Sequence, residues 1–236
     1  MAGNLVGGIP AMIKLDHLVA GYEGLAITPS LSGTIATGSM TAIVGLNGCG
    51  KSTLLKTLAG FIPPVSGRLN WRGERPVIGW LAQRHALESQ FPLTVQDVVS
   101  QGAWPRVSLL RGVRGEGRQR IVASLERVGL LTMAKTPIEA LSGGQFQRML
   151  FARVMVQRAP LVMLDEPFTG IDEATCRELM ALILEMHQQG QTILAVLHDN
   201  QRVADYFPET LLLTSQHARW GCTPDVLLAF HSARLA

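Results

Sequence analysis

Residues 45 to 53 read Gly45-Leu46-Asn47-Gly48-Cys49-Gly50-Lys51-Ser52-Thr53. This is the pattern G-x-x-x-x-G-K-[ST], and each residue type in it meets a physical need. Gly45, Gly48 and Gly50 let the backbone curl until successive N–H groups face the α and β phosphates of a nucleotide, and the N-terminus of the following helix adds positive potential there. Lys51 is a point charge for the β and γ phosphates, the Ser52 hydroxyl is a ligand for Mg²⁺, and the Thr53 hydroxyl is within reach of the α phosphate. The flanks agree. Met40 to Val44 is an apolar run without polar alternation, as in strands covered on both faces. Lys51 to Ala59 has helical periodicity and stops at Gly60, with Pro63 and Pro64 beyond. A loop entered by a buried strand and left by a helix points to ATP as the ligand.

Two more buried-strand candidates lie downstream. Leu161-Val162-Met163-Leu164-Asp165-Glu166-Pro167 ends in two adjacent carboxylates at the strand edge where α/β sheets place ligands. Asp165 suits Mg²⁺ held through water, and Glu166 suits polarising an attacking water or accepting its proton. By itself such a pair is often a helix cap; after a phosphate loop it reads as catalytic. A helix with the apolar stripe Leu179, Leu182, Ile183 and Met186 ends at Gly190 and leads to Thr192 to Leu197, which predicts a parallel crossover. Met12 to Leu18 and Arg68 to Trp71 read as strands of an antiparallel layer. Between Gln83 and Leu141 the pattern turns helical, with Thr94 and Asp97 as a capping box before Val95 to Gly102. The expected fold is α/β: a phosphate-loop ATPase core with a mainly parallel sheet, an antiparallel β layer and an inserted helical subdomain.

Composition bounds the function classes. The chain has 236 residues, 47% of them apolar, with no run approaching the length of a membrane helix. Its start lacks a basic and apolar secretory leader, so a cytoplasmic location is expected. Cys49, Cys176 and Cys222 are far apart, and the six histidines are scattered, so neither a disulfide framework nor a zinc site on this chain is expected. A net charge of +3 argues against a nucleic-acid coat. Arginine is locally dense from Arg106 through Arg111, Arg114, Arg118 and Arg120 to Arg127, opposed only by Glu116 and Glu126. A solvated helical face and a phosphate-binding patch are its two readings, and the absence of interleaved aromatic residues favours the face.

Leu141-Ser142-Gly143-Gly144-Gln145 is a further motif: Ser142 and Gln145 form a capping box, and Phe146, Met149, Leu150 and Val154 stripe the helix that follows. The phosphate loop, this five-residue signature and the carboxylate strand, in that order, resemble the nucleotide-binding subunit of ATP-binding cassette (ABC) transporters, from about Met12 to Leu228. The resemblance implies one ABC ATPase domain over 1–236, with 12–83 and 155–236 as the ATP-binding core and 84–154 as the helical subdomain. It implies a head-to-tail homodimer in which Ser142, Gly143, Gly144 and Gln145 meet the γ phosphate of ATP held by the other copy. It places Tyr22 on adenine, the competing reading being a half-buried strand residue. Gln83 matches the glutamine that reaches Mg²⁺ and water, His198 the switch histidine that contacts the γ phosphate, and Asp172 the loop that communicates across the dimer, where it also reads as a plain N-cap. Cys49 replaces the small residues common there, and Leu81-Ala82-Gln83 lacks the usual proline.

The segment Gln83 to Val99, with the core Phe-Pro-Leu-Thr-Val-Gln-Asp-Val-Val, resembles its counterpart in importers of zinc, manganese or iron. That likeness implies a motor subunit on the cytoplasmic face of the cell membrane, peripheral to an integral permease that is supplied by an extracytoplasmic metal-binding protein, with no nucleic-acid partner. The alternatives are an importer of another cargo, such as an iron-siderophore or haem, and a soluble cassette ATPase of cofactor-assembly type. Only 84–140 separates the glutamine from the signature, too short for the coiled coil of the DNA-repair type. The ribosome-binding type carries two cassettes.

Overall fold

A computed structural model describes residues 10–82, 93–106 and 115–234. Along the chain run β1 (Ala11–Val19), β2 (Gly21–Tyr22), β3 (Leu25–Ala26), β4 (Leu31–Ala36), β5 (Met40–Val44), α1 (Lys51–Leu58), β6 (Ser66–Trp71) and β7 (Ile78–Leu81). Then come α2 (Val95–Ser100), α3 (Glu116–Arg127), α4 (Gly143–Gln157), β8 (Leu161–Asp165) and α5 (Glu173–Gln188). The chain closes with β9 (Thr192–Val196), α6 (Asn200–Tyr206), β10 (Glu209–Leu213), β11 (Ala218–Cys222) and α7 (Thr223–Arg234). Two compact units result, one of 1–76 with 192–236 and one of 77–191.

In the first unit the strand order is β11-β10-β5-β9, parallel except at β11. All five residues of β5 and of β9 are buried, the signature of strands covered on both faces. A separate antiparallel sheet has the order β4-β1-β6, and β1 turns Ile13, Leu15 and Leu18 into the core. Leu54, Leu55 and Leu58 of α1 are fully buried, each contributing about 1.5–3 kcal/mol of gross burial energy. The first unit therefore holds the start of α1 rigidly at the end of β5.

In the second unit β7 and β8 pair in parallel, and α4 is the central helix, packed by α2, α3, α5 and β7. The capping box predicted at Thr94 is present: the Asp97 N–H donates to Thr94 Oγ1 at 3.3 Å and the Thr94 N–H to Asp97 Oδ2 at 2.9 Å. The helix it starts ends at Ser100, not Gly102, and tightens into a 3-10 turn over Gln101–Arg106. Gly102 in that turn lies close against α4: a Cβ there would stand 2.2 Å from the Arg153 carbonyl oxygen. The α4 stripe also differs by one position. Phe146 is only half-buried, while Gln147 is buried and its Nε2 donates to the Pro167 carbonyl at 2.7 Å. A satisfied amide takes a core position that apolar periodicity assigns to a hydrophobe.

Candidate functional site

The phosphate loop begins where β5 ends. Gly45, Gly48 and Gly50 have φ of 153°, 80° and 94°, so the curl expected from sequence is formed in the region that favours glycine. Gly45 has a second reason: a Cβ there would lie 2.0 Å from the Leu213 carbonyl oxygen on β10. Gly50 is the N-cap of α1, offers no side-chain acceptor, and is followed by no acidic residue in the first turn. A helix start of that kind is suited to an anion. Lys51 is buried, and its Nζ donates to the carbonyls of Gly45 at 3.0 Å and Leu46 at 2.9 Å, which holds the ammonium across the curl. Leu46, Asn47 and Gly48 face solvent and Cys49 is buried beneath them, so the crown of the loop is open to a ligand.

The same unit brings His198 to this loop. A cavity of about 360 Å³ is lined by Gly45, Leu46, Asn47, Leu197, His198, Asn200 and Phe230. Asn200 and Phe230 were not found from sequence. Val226, Leu227 and Phe230 form a buried stripe on α7, so a helical period flags Phe230 as core, but nothing local says which strand end that core meets. Tyr22 stands on the β2–β3 hairpin and is 42% exposed. Ser52 and Thr53 occupy the first turn of α1, with Thr53 buried.

In the second unit β8 is buried throughout and ends in Asp165, itself 2% exposed. Glu166 follows with φ of 51°, a left-handed conformation that costs a side-chain-bearing residue about 1–2 kcal/mol. Strain of this kind gathers at functional sites. Thr169 Oγ1 donates to Glu166 Oε2 at 3.3 Å. At the start of α4 the expected capping box is complete: the Gln145 N–H donates to Ser142 Oγ at 3.2 Å and the Ser142 N–H to Gln145 Oε1 at 2.9 Å. Gly143 opens the helix, and Gly144 packs on Thr175. Asp172 is the N-cap of α5, accepting from the Thr175 N–H at 2.9 Å and from its hydroxyl at 2.7 Å. Those two bonds, the backbone one foremost, hold the Asp172 carboxyl below its ordinary value. Gln83, and the Gln83–Val99 segment before Leu93, lie outside the described residues.

A buried parallel strand entering a left-handed glycine loop, an uncapped helix start with its lysine, and a second buried strand ending in an acidic pair define a P-loop ATPase. Comparison with known proteins narrows the class. The ABC transporter family profile matches residues 29–169. Over 219 residues the chain is 36% identical to the manganese transport system ATP-binding protein MntB of Bacillus subtilis (strain 168), covering 91% of this chain and 88% of that protein. It is 39% identical over 208 residues to the zinc transport system ATP-binding protein TroB of Treponema pallidum (strain Nichols), covering 85% and 77%. A solved ABC transporter in an inward-facing conformation, described as of metal-chelate type, superposes with a TM-score of 0.81 at 28% identity, covering 92% of this chain and 84% of that one. The chain belongs to the ABC transporter family, and within it is an ATP-hydrolysing cassette. Among the described residues no helix is long and apolar enough to cross a membrane.

Proposed function

We propose that this chain is the motor subunit of an importer, coupling ATP binding and hydrolysis to uptake of a divalent metal ion, zinc or manganese, through a membrane permease. The observation that carries the cargo is the likeness over most of the chain to a manganese and a zinc transport ATP-binding protein. In the motor role the ATPase core drives the cycle and a helical subdomain, which we place over 84–154, docks the permease. The cassette acts peripherally on the cytoplasmic side, and an extracytoplasmic metal-binding protein delivers the cargo to the permease.

In this reading Tyr22 stacks on adenine, and the loop from Gly45 to Thr53 cradles the phosphates, with Lys51 on the β and γ groups. Ser52 and Asp165, with Gln83, would be the hard oxygen donors for Mg²⁺, and the ion would supply neutralisation of phosphate charge. Glu166 polarises the attacking water or accepts its proton, while His198, on the wall of the loop cavity, orients the water and the γ phosphate. Two copies associate head to tail, so that Ser142, Gly143, Gly144 and Gln145 of one complete the site of the other and Asp172 links the two. Closure on ATP and reopening after hydrolysis then move the permease. The test is reconstitution with the permease and measurement of ATPase stimulation by zinc-loaded and manganese-loaded binding protein. Stimulation by one metal is expected; no stimulation by either rejects the cargo and leaves the ATPase standing.

A further inference from the structure

Two arginines of the arginine-rich stretch, Arg120 and Arg127, which nucleotide chemistry does not use, line a concavity of the second unit. Glu116, Arg120 and Arg127 lie on one face of α3 and line a cavity of about 400 Å³. That volume is within the roughly 300–1,000 Å³ of small-molecule sites. The C-terminal ends of α4 and α5 form the rest of the wall, through Met155 and Arg158 and through Glu185 and Met186. The two methionines give it an adaptable apolar floor.

Three guanidinium groups face two carboxylates here, and two of the three have structural duties. Arg127 Nε donates to Glu185 Oε2 at 2.8 Å. Arg158, with φ of 46°, is the C-cap of α4, where a cation offsets the carbonyl end of the helix. Arg120 is the surplus. Its side chain is 12% exposed, its Nε is buried without a hydrogen-bond partner, and its ion pair with the exposed Glu116 is loose, with Oε1 3.9 Å from Nε. That distance is too long for a hydrogen bond. A buried N–H without a hydrogen bond carries a desolvation cost that a loose ion pair only partly offsets, so its place on a cavity wall suits an acceptor.

We propose that this cavity binds a small molecule that joins an oxyanion, phosphate or carboxylate, to an apolar body. The oxyanion pairs with Arg120 and the apolar part lies on Met155 and Met186. Since α4 starts at the signature and α5 at Asp172, a ligand here bridges α3 to the far ends of both helices. The site is independent of the metal cargo.

The test uses the full chain with MgADP saturating the phosphate loop, titrated calorimetrically with phenyl phosphate, inorganic phosphate and benzoate. Phenyl phosphate or benzoate should bind about tenfold or more tightly than inorganic phosphate, because the apolar ring adds burial. The better ligand of the two identifies the head group. Arg120→Gln should weaken it by about tenfold or more while ADP affinity stays unchanged. Ala123 is an exposed residue of the same wall, and Ala123→Trp should fill the cavity and abolish binding without touching a core position. Absence of binding by all three probes overturns the proposal, as does binding that survives both substitutions. Failure of ADP to bind would count against the nucleotide reading, whereas the Arg120→Gln and Ala123→Trp comparison judges this cavity alone.

Discussion

Gly144 lies against Thr175. A Cβ at Gly144 would stand 3.0 Å from Thr175 Oγ1, and that same hydroxyl donates to Asp172 Oδ2 at 2.7 Å. The signature turn and the cap of α5 therefore share one hydroxyl, so a change at either is felt at the other. Gly144→Ala should displace Thr175 and cost roughly 1–3 kcal/mol as an overpacked contact. A double-mutant cycle checks it: in a Thr175→Ala background the cost of Gly144→Ala should shrink, whereas an unchanged cost would separate the two residues.

The same cap has a pH signature. Asp172 is held below its ordinary value in the folded chain, so its contribution to stability is present above the unfolded carboxylate range and lost as pH falls through the lower, folded value. Capping of α5 should thus persist in mild acid. Thr175→Ala removes the hydroxyl bond and keeps the backbone one, so the Asp172 titration followed by carboxylate NMR should move up part of the way. A titration that does not move would mean that the backbone bond sets the value by itself.

Ser142 caps α4, and its proposed role in trans can be measured apart from that cap. As the N-cap of α4 it should cost about 1 kcal/mol of stability on replacement by alanine, read from denaturant unfolding. On the proposed role in trans, Ser142→Ala should leave ADP affinity of the isolated chain unchanged while collapsing ATP turnover. Weakened ADP binding by the monomer would contradict a role in trans.

Glu166 combines a left-handed backbone with its proposed role as base. Glu166→Gln should keep ATP binding, stop turnover and accumulate ATP-bound dimers on size exclusion. Glu166→Gly should also stop turnover, yet relief of the left-handed conformation, less the entropy of an added glycine, should stabilise the chain by about 1 kcal/mol. A lower melting temperature for the glycine variant would show that side-chain bonds outweigh the strain.

Lys51 bonds the carbonyls of Gly45 and Leu46, so its loss removes both the charge and a brace of the loop. Lys51→Ala should weaken ADP binding by about tenfold or more. Unchanged affinity measured by calorimetry would remove the loop from the nucleotide site.

What could be read from sequence was local. The phosphate loop, the buried strands at Met40 and Leu161, and the capping boxes at Thr94 and Ser142 are each specified by residues within one turn or one strand, where propensity and short-range hydrogen bonds act. The family resemblance followed from their order. Core positions were less legible: Gln147 is buried because a carbonyl twenty residues on, at Pro167, accepts from it, and apolar periodicity carries no record of that acceptor.

By itself the sequence determined the ATPase class, the glycine loop after β5 and the capped helix starts at Thr94 and Ser142, because those depend on neighbours a few residues apart. Tertiary structure alone decided that Phe230 shares a cavity with His198, that Gly144 meets Thr175, and that Arg120 and Arg127 line one cavity with Arg158. Each of these joins segments distant in the chain. Amphipathic patterns say that a face is buried; only packing says against what.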